Sequence, residues 1–137
     1  MIKKQLMTGK TNGKRNRRMG HDTERYYVQK FKDLGFEHCV TARYGSRLHD
    51  DSKIDLIFIP FNVQVKGGFQ KGLNYSKALK EMKDHTALNF PKNDPIHTNP
   101  KLVIHKKPIG KGFKADEFNE LVIMTFDDFT KLIKEKK

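Results

Sequence analysis

The chain has 137 residues, with 28 Lys and Arg against 16 Asp and Glu, and a formal net charge of +12. That length suits one compact domain burying roughly two thirds of the surface its unfolded chain exposes, and the single cysteine excludes an internal disulfide framework or a zinc site built on paired cysteines. The longest apolar run, 54–61, is interrupted by Asp55 and falls far short of the roughly 18 residues of a membrane span. The basic start lacks the apolar stretch and cleavage site of a secretory signal, so a soluble, intracellular protein is expected. A charge of this sign and size points to a polyanionic partner, with DNA or RNA ahead of an anionic membrane. A passive binder and an enzyme fit that charge equally well.

Residues 1–20 carry seven Lys or Arg and no acid. Such a segment buries too little to offset the entropy of ordering itself. Residues 1–18 are therefore expected to form a flexible basic arm along phosphates, with Lys14, Arg15, Arg17 and Arg18 its densest part, ahead of a single domain over 19–137. The string Thr8-Gly9-Lys10-Thr11 is no phosphate-binding loop, because Lys4 stands where the earlier glycine is needed and no strand precedes it.

From His21 to Leu34 the spacing of Tyr27, Val28, Phe31 and Leu34 predicts a helix, with Asp22 as N-cap and Gly35 as its stop. Residues 38–44 have strand composition, and 54–59 with 62–66 read as a hairpin joined at Pro60-Phe61. A helix over 72–86 precedes a proline-rich loop over 87–100. Strands over 102–105 and 121–125 follow, and the last helix sets Phe126, Phe129, Leu132 and Ile133 on one side. The order α-β-β-β-α-β-β-α predicts an α/β fold, a mixed sheet flanked by helices.

Polar residues interrupt this apolar frame. Glu24 falls on or beside the apolar stripe of the first helix, where favouring the helix dipole is the plain alternative. Asp55 breaks a run of Ile, Leu and Phe, and burying an ionised carboxylate there is costly without a cation or several donors; the alternative is a wet strand end. Gln64 and Lys66 alternate with Val63 and Val65. A two-residue connection at Pro60-Phe61 would oppose Asp55 to Lys66 and Ile57 to Gln64, so that Asp55, Gln64 and Lys66 share one face. Acids, an amide oxygen and a lysine are the parts of a divalent-metal phosphodiesterase, since Mg²⁺ takes oxygen ligands and keeps waters.

The pattern of Asp55, eight intervening residues, then Gln64-Val65-Lys66 resembles the PD-(D/E)XK nuclease signature. Upstream, Gly20-His21-Asp22-Thr23-Glu24-Arg25 resembles the Gly-x-x-x-Glu-Arg opening of the first helix in Holliday junction resolvases of the archaeal type and their phage relatives. Thr41-Ala42-Arg43-Tyr44-Gly45-Ser46-Arg47, then Asp50-Asp51 and Ile54-Asp55-Leu56, resembles the loop and strand that follow; the similarity spans about residues 17–68. The resemblance implies a restriction-endonuclease-like fold and a Mg²⁺-dependent DNA endonuclease, with Mn²⁺ as a possible substitute. Its substrate would be a four-way junction, cut by a homodimer. Glu24, Asp55 and Gln64 would surround the metal and Lys66 would assist the water. Arg25, Arg43 and Arg47 would meet DNA, and Ser46 would stand on a mobile loop near the scissile strand.

One departure is Gln64, where the family usually has Glu or Asp and the phage relatives tend to carry Gln; an amide offers an oxygen without charge. Asp50 or Asp51 is the expected compensating acid, unless each is ordinary loop polarity. Two other readings stay open: a nucleic-acid-binding protein of the same fold without cleavage, and a restriction- or repair-type endonuclease with another DNA target. A His-Asn-His nuclease from His85, Asn89 and His97 is rejected on spacing.

Overall fold

The computed structural model describes residues 2–68, 72–109 and 115–136, and the side chains among them other than those of 2–16 and 19. Five strands form one mixed sheet in sequential order: β1 (Val40–Thr41), β2 (Leu56–Ile57), β3 (Asn62–Gly67), β4 (Lys101–Lys106) and β5 (Glu120–Ile123). All neighbours are antiparallel except β3 and β4, which run parallel. A parallel pair needs a crossover, and α4 (Tyr75–Asn89) supplies it, started by Asn74, whose side chain accepts from Lys77 N–H at 3.0 Å.

Alternation along β3 and β4 separates two cores. Val63, Leu102 and Ile104 pack with Tyr27, Cys39 and Leu56 on the side of helix α1 (Ile2–Asp33), joined by the partly buried Val65. Val103 packs with Ile54, Ala78, Leu79, Met82 and Ile96 on the side of α4. Each such aliphatic side chain contributes about 1.5–3 kcal/mol on full burial. Tyr27 further ties α1 to β5 through its hydroxyl, which donates to Glu120 Oε1 at 2.7 Å.

The α/β mixed sheet flanked by helices is as expected, and several local expectations are corrected. Helix α1 begins at Ile2, not at an Asp22 cap, and runs through the segment expected as an arm. Lys, Arg, Gln and Met are good helix formers, and the chain has no proline before Pro60 to interrupt them. The strand expected over 38–44 is reduced to β1 and gives way to two short helices, α2 (Ala42–Gly45) and α3 (Arg47–Asp51). Thr41 and Ser46 explain the change, since their side-chain oxygens accept from Tyr44 N–H and His49 N–H as N-caps. Within the proline-rich loop, Asp94 caps a single 3-10 turn at Pro95–Thr98.

The hairpin register differs by two residues. Leu56 pairs with Val63 rather than Val65, so residues 58–61 all belong to the connection. Pro60 has no N–H to give a ladder, and Phe58 takes a positive φ of 64°, a conformation that turns the chain. Asp55 N–H donates to Val63 O at 2.7 Å, so Asp55 and Leu56 both face Val63. Two residues against one is the arrangement of a β-bulge, which re-aims a side chain.

At the chain's end, α5 (Phe126–Glu135) turns Asp128 inward, where Oδ2 accepts from Lys101 N–H at 3.0 Å. Its apolar stripe does not enter the core: Phe126, Phe129 and Ile133 are exposed. Among the described residues, no helix is long and apolar enough to cross a membrane.

Candidate functional site

The bulge brings Asp55 against the end of β3. Its Oδ2 accepts from Val65 N–H at 2.7 Å, so the strand carrying Gln64 and Lys66 also holds the acid. Burial pushes the Asp55 carboxyl up to about 7, the nearby charges of Glu24 and Asp50 push the same way, and the Val65 N–H and Lys66 pull against them. Glu24 from α1, Asp50 from α3 and Lys66 from β3 therefore all act on one carboxylate. The expected direct opposition of Asp55 and Lys66 across the hairpin is absent because of the two-residue shift. The two interact instead through charge.

Gln64 is 8% exposed, and its Oε1 is buried without a hydrogen-bond partner. Since Val63 and Val65 face α1, Gln64 and Lys66 face the α4 side, beside Val103 and His105 in the parallel register. An unpartnered buried oxygen costs about 1–3 kcal/mol. A hard cation is the kind of partner that removes such a cost, and carboxylate plus amide oxygen is a donor set for Mg²⁺ or Mn²⁺. Among the described residues no three His, Cys, Asp or Glu side chains gather closely enough to hold a metal ion. Of the residues expected at a metal, Glu24 and Asp55 interact through charge, and Gln64 lies on the strand whose backbone holds Asp55.

Glu24 is 7% exposed and is gripped by Arg43, whose Nη2 donates to Oε1 at 3.1 Å and Oε2 at 3.3 Å. Arg43 Nη1 also contacts His21 Nε2. Arg43, expected on DNA, thus orients an acid of the site. Arg25 and Arg47 are exposed, paired loosely with Asp22 at 3.7 Å and Asp51 at 3.8 Å. Such surface pairs contribute little and leave the guanidinium groups available to phosphate. Of the two auxiliary acids, Asp50 acts on Asp55, while Asp51 lies in the loose, exposed pair with Arg47. Arg17 and Arg18 are exposed on α1, and the side chains of Lys14 and Arg15 lie outside the described residues.

Ser46 caps α3 at its junction with α2, its Oγ 2.6 Å from His49 Nδ1. Burial lowers the His49 pKa and Asp94 opposes the shift.

Two positions outside the expected site residues lie beside Lys66, Gly67 by sequence and His105, read as a surface or packing residue, by strand register. A Cβ at Gly67 would lie 2.6 Å from Thr23 Oγ1, so only glycine there lets α1 cross this close to β3, one residue from Lys66 and with Glu24 beside Thr23. A glycine inside a strand pattern is the available signal for such an approach. Buried His105, paired with Lys66 in the β3–β4 register, donates through Nε2 to Gly68 O at 2.9 Å and meets the Tyr75 hydroxyl at Nδ1, 2.7 Å away. The carbonyl can only accept, which sets the tautomer. No protein-family model, curated protein or solved structure matches the chain.

Proposed function

We propose that this protein is a metal-dependent DNA endonuclease of the PD-(D/E)XK type with a restriction-endonuclease-like fold, acting on four-way junctions. The observation that carries the reading is the unpartnered, buried Oε1 of Gln64, on the strand whose backbone holds the strongly perturbed Asp55. Perturbed acids with a specific charged partner are where chemistry concentrates.

Asp55, Gln64 and Glu24 would hold Mg²⁺ or Mn²⁺. A cation bound there lowers the pKa of a bound water and neutralises phosphate oxygens. Lys66 places an ammonium group beside these acids, suited to orienting the attacking water and to meeting charge that builds on the phosphate. Arg43 holds the Glu24 carboxylate in one orientation. The exposed Arg17, Arg18, Arg25 and Arg47, with the +12 net charge, supply non-specific affinity for the phosphate backbone. A junction must be cut on two strands, which makes a two-fold pair of subunits the working unit.

Digestion of a four-way junction, a flap and a linear duplex side by side, with and without Mg²⁺, tests the reading. Junction cleavage that needs the metal is expected. Asp55→Asn and Lys66→Ala should abolish it while leaving junction binding largely intact. Wild-type cutting by Asp55→Asn would refute the site. The amide at position 64 favours a second reading, binding without cleavage. In that case affinity falls about three to five decades between 50 and 200 mM salt for 6 to 10 phosphate contacts, with no strand scission under either cation.

A further inference from the structure

Both acids of the candidate site are tied to one short element. Ala42 N–H donates to Asp55 O at 2.8 Å, and Arg43, the next residue, grips the Glu24 carboxylate. Tyr44 follows. Ala42 is fully buried, and a Cβ at Gly45 would lie 2.6 Å from Ile57 Cδ1 and 3.2 Å from Val40 Cγ2, so positions 42 and 45, which share one helical face, are pressed against the sheet. Residues 43 and 44 must then face away from it. Arg43 turns back to Glu24, while Tyr44 stands 86% exposed, the most exposed large apolar side chain among the described residues.

A single exposed apolar residue is ordinary on a protein surface, but three features set this one apart. Its backbone is pinned, with the Thr41 side chain accepting from Tyr44 N–H at 3.3 Å, so little freedom is lost when the ring is covered. It stands beside the two acids. It also borders a groove of about 460 Å³ shared with Arg25, Arg43, Val28, Val40 and Thr41, which has two guanidinium groups and no carboxylate among its lining residues. Cations along a groove with an aromatic ring at its wall suit an unpaired nucleic-acid strand, because phosphates meet the cations and bases stack on the ring. In a continuous duplex each base face is covered by its neighbours, and the ring has nothing to stack on. Where the duplex is interrupted, a face is open or cheaply opened.

We propose that Tyr44 stacks on an unpaired or unstacked base next to the phosphate that the site would cut, with Arg25 on the adjoining backbone, and so selects branched DNA over continuous duplex. The inference rests on the proposed nuclease reading and names the substrate feature that the site recognises. Stacking reads the face of a base and not its edge, so the preference is for structure rather than for sequence.

Fluorescence anisotropy in EDTA at about 150 mM salt, with a labelled four-way junction and a duplex of equal length, tests the assignment without cleavage. The wild type should prefer the junction. Tyr44→Ala should weaken junction binding about 5- to 150-fold, the worth of one base on an aromatic ring, and duplex binding less than about twofold, with an unchanged far-ultraviolet circular dichroism spectrum. Tyr44→Trp should stay within about threefold of wild type on both DNAs. Arg25→Gln should weaken both alike and lower the salt slope by about one. An abasic site walked through the crossover locates the base: at one position it should cost the wild type as much as Tyr44→Ala does, and cost Tyr44→Ala nothing further. A wild type that binds both DNAs alike, a Tyr44→Ala variant that binds the junction like wild type or loses duplex binding equally, an Arg25→Gln variant with an unchanged salt slope, or a scan with no such abasic position would each overturn the assignment. A wild type that prefers the junction yet never cuts it in Mg²⁺ refutes the nuclease activity alone, since the affinities still decide the role of Tyr44. A wild type that binds neither DNA refutes both.

Discussion

The main chain of Val65 holds the side chain of Asp55: N–H to Oδ2, 2.7 Å. In a regular ladder that N–H would serve the neighbouring backbone. Its diversion to a carboxylate is the local consequence of Asp55 and Leu56 sharing Val63, and it fixes the acid against the strand that carries Gln64 and Lys66.

Asp55 makes stability depend on pH with a definite sign. Its folded-state value of about 7 exceeds the ordinary value of about 3.9, so between these the folded state binds the extra proton. Stability then falls as pH rises from about 4 to about 7 and is level above that range. The full span corresponds to about 4 kcal/mol at most. Asp55→Asn keeps an oxygen for Val65 N–H and removes the charge. With chelator present it should melt several degrees above wild type at pH 8 and level with it near pH 4, by differential scanning calorimetry. A variant less stable than wild type at pH 8 would contradict the buried-carboxylate account.

Gln64 allows metal and packing roles to be separated. Gln64→Met removes the unpartnered oxygen, which should raise metal-free stability by about 1 kcal/mol and abolish any stabilisation by Mg²⁺. Gln64→Glu should do the reverse, lowering metal-free stability at pH 8 and tightening Mg²⁺ binding about tenfold through the added charge. Thermal melts against Mg²⁺ concentration read both, and identical titrations for wild type and the two variants would remove Gln64 from the metal site.

Arg43 is predicted to act through Glu24. Removing the guanidinium leaves a buried carboxylate unpaired, worth about 1–2 kcal/mol once the half-exposed position of Arg43 is allowed for. Arg43→Ala should also slow cleavage about 10- to 100-fold, as loss of a group that orients a metal ligand does. Arg43→Ala combined with Glu24→Gln should lose no more stability than Arg43→Ala alone. Additive losses in this cycle would show that the pair does not act as a unit.

Glycines 20 and 67 should respond in opposite ways to alanine. No atom lies within 4 Å of a Cβ at Gly20, in the middle of α1, so Gly20→Ala should stabilise by about 0.5–1 kcal/mol. At Gly67 the new carbon meets Thr23 Oγ1 at 2.6 Å and Thr23 Cβ and Cγ2 at 3.3 Å. Gly67→Ala should therefore cost about 1–3 kcal/mol and, by moving α1 from β3, reduce cleavage as well. Urea titrations measure the first effect, and an unchanged midpoint for Gly67→Ala would rule out the close crossing.

Much of the architecture was legible in the chain. Apolar periodicity marked the main elements, Gly35 stops α1 just after Asp33 with a φ of 109°, and the alternation of Val63, Gln64, Val65 and Lys66 assigned their faces. Such features are local, and a residue's own torsions or its spacing decide them. The identities of the polar residues that meet around Asp55 were legible for the same reason, since a carboxylate inside an apolar run is conspicuous wherever the chain folds. Register was not. It depended on how many residues the Pro60 connection consumes, and a two-residue shift preserves the alternation that sequence can read. Nor could sequence tell that Arg43 grips Glu24 from 19 residues away, that Gly67 admits Thr23, or that α5 turns its phenylalanines outward. Those depend on which surfaces come together once α1 and the sheet are packed, and only the tertiary structure decided them.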